Sequence, residues 1–281
     1  MNKIKLQPKY PVYPPYHQGE YLEDYFMTFF DGVTLKTDRT YIPVSWTTYY
    51  CDGYSRIDLQ RDLTDKLDRD GKYFTVCQHD DAVQENLPAD TLIFSAGGNC
   101  EKPGVVPIPL VCSEIPSEFL REEKRDILLS FVGSDTHPIR NECLRHLMDK
   151  DDVKLYYKPW ANVVPLDQFK FFVDKTIRSK FCLAPRGYGK SSFRMYEAMR
   201  MGSIPVYVSD EHYTPFSDVI DWNEFSVLIR PNQIPEIYDI LRSYTDEEIS
   251  RMQCRMKEVY QDYFTMNSVC LNIKRILEDE N

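Results

Sequence analysis

From about residue 125 onward, the chain alternates short apolar segments with longer segments whose apolar residues recur every three or four positions. The short segments predict buried strands, and the longer ones predict amphipathic helices. Because consecutive parallel strands need crossover connections, the alternation predicts an α/β fold with helices on both faces of a parallel sheet. The predicted strands are 125–132, 153–157, 181–184, 204–208 and 225–229, and the predicted helices are 139–150, 166–178, 192–201, 234–244, 246–264 and 269–278.

The first 120 residues show a less regular pattern, which still predicts an α/β unit. Their predicted strands are 41–46, 73–77 and 91–95, and their predicted helix is 53–70. A boundary is indicated by three prolines at positions 107, 109 and 116, followed by the charged run 121–125. A chain of 281 residues is long enough for two such units.

Charge and hydropathy exclude several classes of protein. The net charge of −10 repels polyanions, which disfavours a protein that tracks nucleic-acid phosphates. No apolar run reaches the ~20 residues of a membrane-spanning helix. Residues 1–20 contain four prolines and no apolar stretch, so we expect no secretory signal. The eight cysteines form no C-x-x-C pair and have no histidines at zinc spacing, which favours reduced thiols in a cytosolic protein and no metal.

The segment 179–216 carries the strongest chemical signal. A short apolar strand runs into Pro185 and two glycines, and Ser191-Ser192 then precede a predicted helix that they can cap. The free backbone N–H groups and the dipole of a helix start favour an anion. Arg194 lies in the first turn, and Glu197 follows one turn deeper on the same face. This order suits a nucleoside diphosphate, although a surface ion pair is the alternative interpretation.

A second interpretation of the same segment is a phosphate-binding P-loop. Residues 184–191 read APRGYGKS, close to the pattern G-x-x-x-x-G-K-[ST]. The first position is Ala184 where the pattern requires glycine, and the next is Pro185, which has no N–H. These departures make a P-loop phosphotransferase the less favoured alternative.

Several ordered motifs resemble the exostosin-like glycosyltransferases, glycosyltransferase family 47. They are SKFCLAPRGYGKSSFRMYEA (179–198), MGSIPVYVSD (201–210), Thr214-Pro215-Phe216, SDVIDWNEFSV (217–227) and IPEI (234–237), together with LLSFVGS (128–134) and Arg140 upstream. The resemblance covers roughly residues 127–263. Before it, the segment 78–81, QHDD, is similar to the S-H-D-W segment of that family, with Asp81 in place of the tryptophan.

The resemblance implies two Rossmann-like domains that face a cleft, the glycosyltransferase B-type fold. It divides the chain into an acceptor-binding domain (1–120), a nucleotide-sugar-binding domain (121–264) and a last helix (265–281) that packs back toward the N-terminal domain. It implies inverting, metal-independent transfer from a UDP-sugar with no cofactor. Arg194 then holds the diphosphate and Glu197 the ribose. The other implied donor-site residues are Gly133, Ser134, Arg140, Pro185, Tyr188, Ser191 and Ser192.

The resemblance also carries expectations about setting and substrate. Familiar members have an N-terminal membrane anchor, and none is recognised here, so we expect a cytoplasmic protein. The chain is similar in size to compact soluble members from large DNA viruses, for which xylosyl transfer from UDP-xylose to a glycan or glycoprotein is a plausible activity. A catalytically inactive glycan-binding module is the alternative from a different functional class.

An inverting transfer needs a base for the acceptor hydroxyl. We predict Asp80 for this role and His79 as the second candidate, because both follow the predicted strand 73–77 at its carboxyl end. A turn with satisfied hydrogen bonds is the alternative interpretation of this pair. The candidate acceptor or sugar contacts are His17, Trp46, Asp81 and His212.

Overall fold

The strands form two parallel sheets, one from each part of the chain. The computed structural model describes residues 19–51, 56–111, 115–161 and 164–279. The first sheet has the order β1-β2-β3-β4, with strands β1 (Thr40–Tyr41), β2 (Tyr73–Cys77), β3 (Thr91–Ser95) and β4 (Val105–Pro107). The second has the order β6-β5-β7-β8-β9, with strands β5 (Ile127–Gly133), β6 (Val153–Tyr157), β7 (Ser179–Pro185), β8 (Ile204–Val208) and β9 (Val227–Ile229).

The second sheet contains a topological switch point. The chain passes from β5 to β6 on one side and then returns to place β7 on the other side of β5. The loops that follow β5 and β7 therefore diverge and leave a crevice at the carboxyl ends of the two strands. Ligands of open α/β sheets bind at such a crevice.

Helices cover both sheets. They are α1 (Leu22–Asp31), α2 (Trp46–Cys51), α3 (Arg56–Lys66), α4 (Pro138–Leu147), α5 (Leu166–Ile177), α6 (Phe193–Arg200), α7 (Ile237–Ser243), α8 (Asp246–Tyr263) and α9 (Met266–Asp279). Short 3₁₀ turns lie at Ser117–Phe119, Trp222–Glu224 and Pro231–Glu236. The central strand β7 is buried on both faces, with Phe181 on the side of α7 and its neighbour Cys182 on the side of α5. Its continuous apolar sequence follows from that position.

The fold class predicted from the sequence, α/β with parallel sheets, is confirmed. In the second sheet, each predicted strand overlaps the observed strand. The predicted strand 41–46 is wrong beyond Tyr41, because Pro43 has no N–H to continue the ladder and Trp46 begins α2. The predicted helix 234–244 begins as a 3₁₀ turn through Pro235, for the same physical reason. Helices α1 and α2 and strand β4 were not predicted.

The two sheets share one apolar cluster. Phe74 and Phe94 of the first sheet belong to the same buried cluster as Ala184 and Tyr207 of the second. The last helix, α9, contributes Ile273 and other residues to this cluster and lies against α1. Strand β4 ends at Pro107 and β5 begins at Ile127, so the predicted boundary at residue 120 falls between the sheets. The division into domains stays a prediction.

Candidate functional site

The crevice at the switch point forms part of a cavity of about 270 Å³ between the two sheets. The predicted site residues that line it are Asp80, Gly133, Ser134, Arg140, Tyr188, Ser191, Ser192, Arg194 and Glu197. Asp80 comes from the first sheet, and the other eight come from the loops and helices of the second. A larger cavity of about 820 Å³ lies beside α8 and residues 120–125, but it contains none of the predicted site residues.

The start of α6 lies at this cavity. Ser192 occupies the N-cap position in an extended conformation, but its side chain makes no capping hydrogen bond. The N–H of Ser191 donates to Gly97 O at 3.2 Å, so this group ties the loop to the first sheet. In the first turn of α6, the Met195 N–H donates to Ser192 O at 3.1 Å, and the N–H groups of this turn form the electropositive end of the helix dipole.

The guanidinium group of Arg194 lies over an aromatic ring. Its guanidinium carbon lies 3.9 Å from the centroid of the Phe172 ring, and its Nε lies 3.6 Å from Glu197 Oε2. The Nε and Nη1 groups are buried and have no hydrogen-bond partner among the described residues. The Arg194–Glu197 pair therefore exists, but it lies in the cavity with each side chain 17% exposed. Buried guanidinium donors without acceptors favour an anionic ligand.

Arg140 lines the same cavity, but its donors are used within the protein. Nη1 donates to Ser134 O at 2.7 Å, Nη2 to Pro185 O at 3.2 Å and Nε to Arg186 O at 3.0 Å. These bonds fix the turn after β5 against the end of β7. Pro185 is the last residue of β7, and its contribution to the site is its carbonyl oxygen, which accepts the hydrogen bond from Arg140 Nη2. Arg140 thus shapes the crevice and has fewer donors to offer a ligand than the sequence suggested.

Asp80 projects into the cavity from the loop after β2. Burial, and after it the negative charge of Asp81, raises the pKa of its carboxyl group from 3.8 to about 6, against the opposing effect of Arg186. A carboxylate with this pKa is a stronger base than an ordinary aspartate and is still mostly ionised at neutral pH.

His79 differs from Asp80 in its surroundings. Its Nδ1 accepts a hydrogen bond from the N–H of Asp81 at 3.3 Å, and its ring meets the Tyr50 ring edge-on at 4.7 Å. The described residues that line the cavity do not include His79. Burial lowers the pKa of His79, so its ring is neutral at pH 7. The geometry at His79 agrees with the alternative interpretation, a turn residue with satisfied hydrogen bonds.

The predicted acceptor contacts are dispersed. Asp81 accepts hydrogen bonds from Asn99 Nδ2 at 2.9 Å and from Tyr188 Oη at 3.1 Å, so it links the two sheets beside the cavity. Trp46 is 0% exposed and donates to Thr75 Oγ1 at 2.8 Å. The Trp46 ring is therefore buried in the core, which gives no support to its predicted contact with an acceptor.

The contacts of His212 give no support to a sugar-binding role. His212 Nε2 lies 3.0 Å from Ile229 O, and the ring packs on Tyr207 at 5.3 Å, away from the cavity lining. This is the turn histidine of the simpler interpretation. His17 lies outside the described residues.

The contacts of Lys190 argue against the P-loop interpretation. Lys190 Nζ contacts the carboxylates of Glu101 and Glu211, one from each part of the chain. A P-loop enzyme also needs a carboxylate that can bind magnesium after a later strand, but Asp210, which follows β8, pairs with Arg186. Lys190 therefore joins the two halves of the protein, and it does not face a phosphate site.

Lys158 is a cavity residue that sequence reasoning missed. It follows β6, and its N–H donates to Gly133 O at 3.0 Å, which extends the pairing with β5. Burial lowers the pKa of Lys158, as does the charge of Arg194, whereas Glu197 raises it. Position at the carboxyl end of a strand is the same signal that identified Asp80, and it would have found Lys158 as well.

The described residues contain no helix that is both long and apolar enough to cross a membrane. Among the same residues, no group of three or more histidine, cysteine, aspartate or glutamate side chains is arranged to hold a metal ion.

Residues 66–244, more than half of the chain, match the family model described as the exostosin GT47 domain. This chain belongs to the exostosin GT47 family. The family predicted from the motifs is thereby confirmed. The two parallel α/β sheets that flank a cleft correspond to the predicted B-type fold of glycosyltransferases.

Three GT47 relatives illustrate the range of similarity. A probable glycosyltransferase of Arabidopsis thaliana is 34% identical over 146 residues, which cover 51% of this chain and 26% of the relative. The exostosin-1 homolog of Caenorhabditis elegans is 35% identical over 85 residues, or 30% of this chain and 22% of that protein. Exostosin-2 of Bos taurus is 29% identical over 100 residues, or 35% of this chain and 14% of that protein. The chain spans about a quarter or less of the length of these GT47 relatives.

Among solved structures, the crystal structure of TarM gives a TM-score of 0.42 at 9% identity, covering 78% of this chain and 57% of TarM. The pneumococcal O-GlcNAc transferase GtfA, crystallised with UDP and GlcNAc, gives a TM-score of 0.43 at 12% identity, covering 81% of this GT47 chain and 47% of GtfA.

Proposed function

We propose that this chain is an inverting, metal-independent glycosyltransferase that moves a sugar from a UDP-sugar to a hydroxyl group of a glycan. Membership of the GT47 family supports the reaction class. The observation that carries the proposal is the presence of two groups in one cleft. One is the Arg194 guanidinium, whose buried Nε and Nη1 have no hydrogen-bond acceptor among the described residues, and the other is the Asp80 carboxylate, whose pKa is about 6. The first group suits a diphosphate and the second suits a base.

The donor site lies at the start of α6. Arg194 and the N–H groups of the first helical turn bind the diphosphate, because a guanidinium and a helix N-terminus both favour phosphate oxygens. Glu197 lies one turn further and accepts hydrogen bonds from the ribose hydroxyls. Gly133 and Ser134, at the turn after β5, form the opposite wall of the crevice.

The transfer step proceeds by direct displacement. The acceptor hydroxyl oxygen attacks the anomeric carbon, the bond from that carbon to the diphosphate oxygen breaks, and the configuration inverts. Asp80 takes the hydroxyl proton, and its raised pKa makes this transfer more favourable than it would be for an ordinary aspartate. The negative charge that develops on the leaving diphosphate is stabilised by Arg194 and the helix start.

The finer points of the proposal concern substrate and setting. We favour UDP-xylose as the donor and a glycan or glycoprotein as the acceptor. A cytoplasmic location and an origin in a large DNA virus stay predictions, as does the use of no cofactor.

Titration calorimetry with UDP tests the donor site. We expect the unchanged protein to bind UDP and the Arg194→Ala variant to lose at least about tenfold in affinity, since a hydrogen bond to a charged group contributes about 1.5–3 kcal/mol. Arg145→Ala is the matched control, because Arg145 is an exposed residue of α4 outside the cavity lining. Absence of UDP binding by the unchanged protein, or equal binding by the Arg194 variant, contradicts the proposal.

A nucleotide-release assay tests the reaction. The protein is incubated with glycan acceptors and, in turn, with UDP-xylose, UDP-galactose, UDP-glucuronate and UDP-N-acetylglucosamine. Release of UDP that depends on both substrates identifies the transferase and its donor. Glycan binding without UDP release under all four conditions identifies a catalytically inactive binding module instead.

A further inference from the structure

Lys158 and Arg194 line the same cavity, but they belong to different parts of the second sheet. Lys158 follows β6, at the outer edge of the second sheet, whereas Arg194 belongs to α6, which follows β7. The backbone of Lys158 is fixed because its N–H donates to Gly133 O at 3.0 Å. Its side chain lines the same cavity as Arg194 and Glu197. Two cations thus face one crevice from the two sides of β5.

The Lys158 ammonium group has no direct partner among the described residues. In the described ranges it takes part in no hydrogen bond and no ion pair, and the charged groups that affect it are Arg194 and Glu197. The buried Nε and Nη1 of Arg194 also lack acceptors there. Glu197 supplies one negative charge against these two positive charges. A half-buried pair of like charges is unfavourable unless an anion is bound between them.

A ligand with separated negative charges fits this arrangement better than a ligand with one phosphate group. Arg194 and the helix start can engage one phosphate group, which leaves Lys158 on the far side of the crevice for another. On this basis, and resting on the proposed function, we propose that Lys158 is a second cationic contact for the donor diphosphate. Lys158 thereby makes the site select a nucleoside diphosphate over a nucleoside monophosphate.

The tests use calorimetry with UDP and UMP on the unchanged protein and on Lys158→Met. We expect the unchanged protein to bind UDP at least about tenfold more tightly than UMP. In Lys158→Met we expect UDP affinity to fall about tenfold or more, the change that corresponds to one hydrogen bond to a charged group, while UMP affinity changes about threefold or less. Lys158→Arg retains the charge and should recover most of the UDP affinity.

Lys154→Met is the matched control. Lys154 lies on β6, the strand that Lys158 follows, but its ammonium group donates to Asp151 O at 2.7 Å and Lys154 lies outside the cavity lining. Its removal should leave both affinities unchanged. Thermal unfolding of each variant, with a midpoint close to that of the unchanged protein, shows that the fold is retained. If Lys158→Met does not fold, Lys158→Gln replaces it.

The outcomes separate this inference from the proposed function. Equal UDP affinity in Lys158→Met and the unchanged protein overturns the inference, and so does an equal loss for UDP and UMP. If Arg194→Ala abolishes UDP binding in that case, the proposed function still stands. If the unchanged protein binds neither UDP nor inorganic pyrophosphate, both fail. If it binds pyrophosphate but not UDP, the anion site exists and the nucleotide assignment fails.

Discussion

Asp80 and Gly189 meet at the cleft with no space for a side chain between them. A Cβ atom built on Gly189 would lie 2.2 Å from Asp80 Oδ1, and one built on Gly97 would lie 2.2 Å from Asp80 Cα. The candidate base is therefore packed between a glycine of its own half and a glycine of the other half. This close contact also explains much of the burial that raises the pKa of Asp80 to about 6.

Gly189→Ala should displace Asp80 or force the two loops apart. Overpacking of this kind costs about 1–3 kcal/mol. We expect turnover to fall by at least tenfold and the unfolding midpoint to decrease, measured by UDP release and thermal unfolding. Gly187→Ala is the control, because a Cβ there would meet Thr136 Oγ1 at 3.2 Å and Arg140 Nη2 at 3.3 Å, which small side-chain shifts can relieve. Equal effects in the two variants would show that the contact with Asp80 is unimportant.

Asp80→Asn should abolish turnover but stabilise the folded protein. The pKa of the Asp80 carboxyl rises from 3.8 to about 6 on folding, so its ionisation at neutral pH opposes folding. The stability that protonated Asp80 provides is present below pH 3.8 and is lost as pH rises through about 6. At pH 7 the expected gain in the free energy of unfolding of the variant is up to about 3 kcal/mol.

Urea unfolding at pH 7 and at about pH 4 measures this difference, which should shrink at the lower pH. Turnover of the unchanged protein should decline below about pH 6, as the base becomes protonated. His79→Ala should retain turnover in the same assay. An Asp80→Asn variant with near-normal activity would eliminate Asp80 as the base.

Lys190→Met should weaken the contact between the two halves and leave nucleotide chemistry intact. Lys190 bridges Glu101 and Glu211, and its side chain is 15% exposed. We expect a loss of about 1 kcal/mol in the free energy of unfolding, since both carboxylates are exposed and screened by solvent. UDP affinity should change less than about threefold. Magnesium-dependent ATP hydrolysis that disappears in Lys190→Met would instead restore the P-loop interpretation.

Lys180→Met is the matched control for that variant. Among the described residues, Lys180 forms one ion pair, with Asp246, and both residues belong to the C-terminal part of the chain. Lys180→Met should lower the free energy of unfolding by less than Lys190→Met does. The difference between the two losses should become smaller in high salt, because the Lys190 contacts are electrostatic.

Local sequence patterns were enough to predict the second sheet and the start of α6. Strand segments such as 153–157 and 204–208 coincide with β6 and β8, because the periodicity of apolar residues reports directly which backbone is buried. The helix start at Ser192 was also predictable, since glycine and serine influence turns and helix starts only within a few residues of their own position. These are local effects.

Which polar groups are available to a ligand depends instead on how the two sheets pack together. Arg140 is engaged by carbonyl groups of Pro185 and Arg186, and Lys190 by a glutamate that lies 89 residues away. Trp46 is fully buried, and Lys158 lies in the cavity without a partner in the described ranges. Sequence spacing does not report these outcomes, because each depends on groups that approach only when the two sheets pack together.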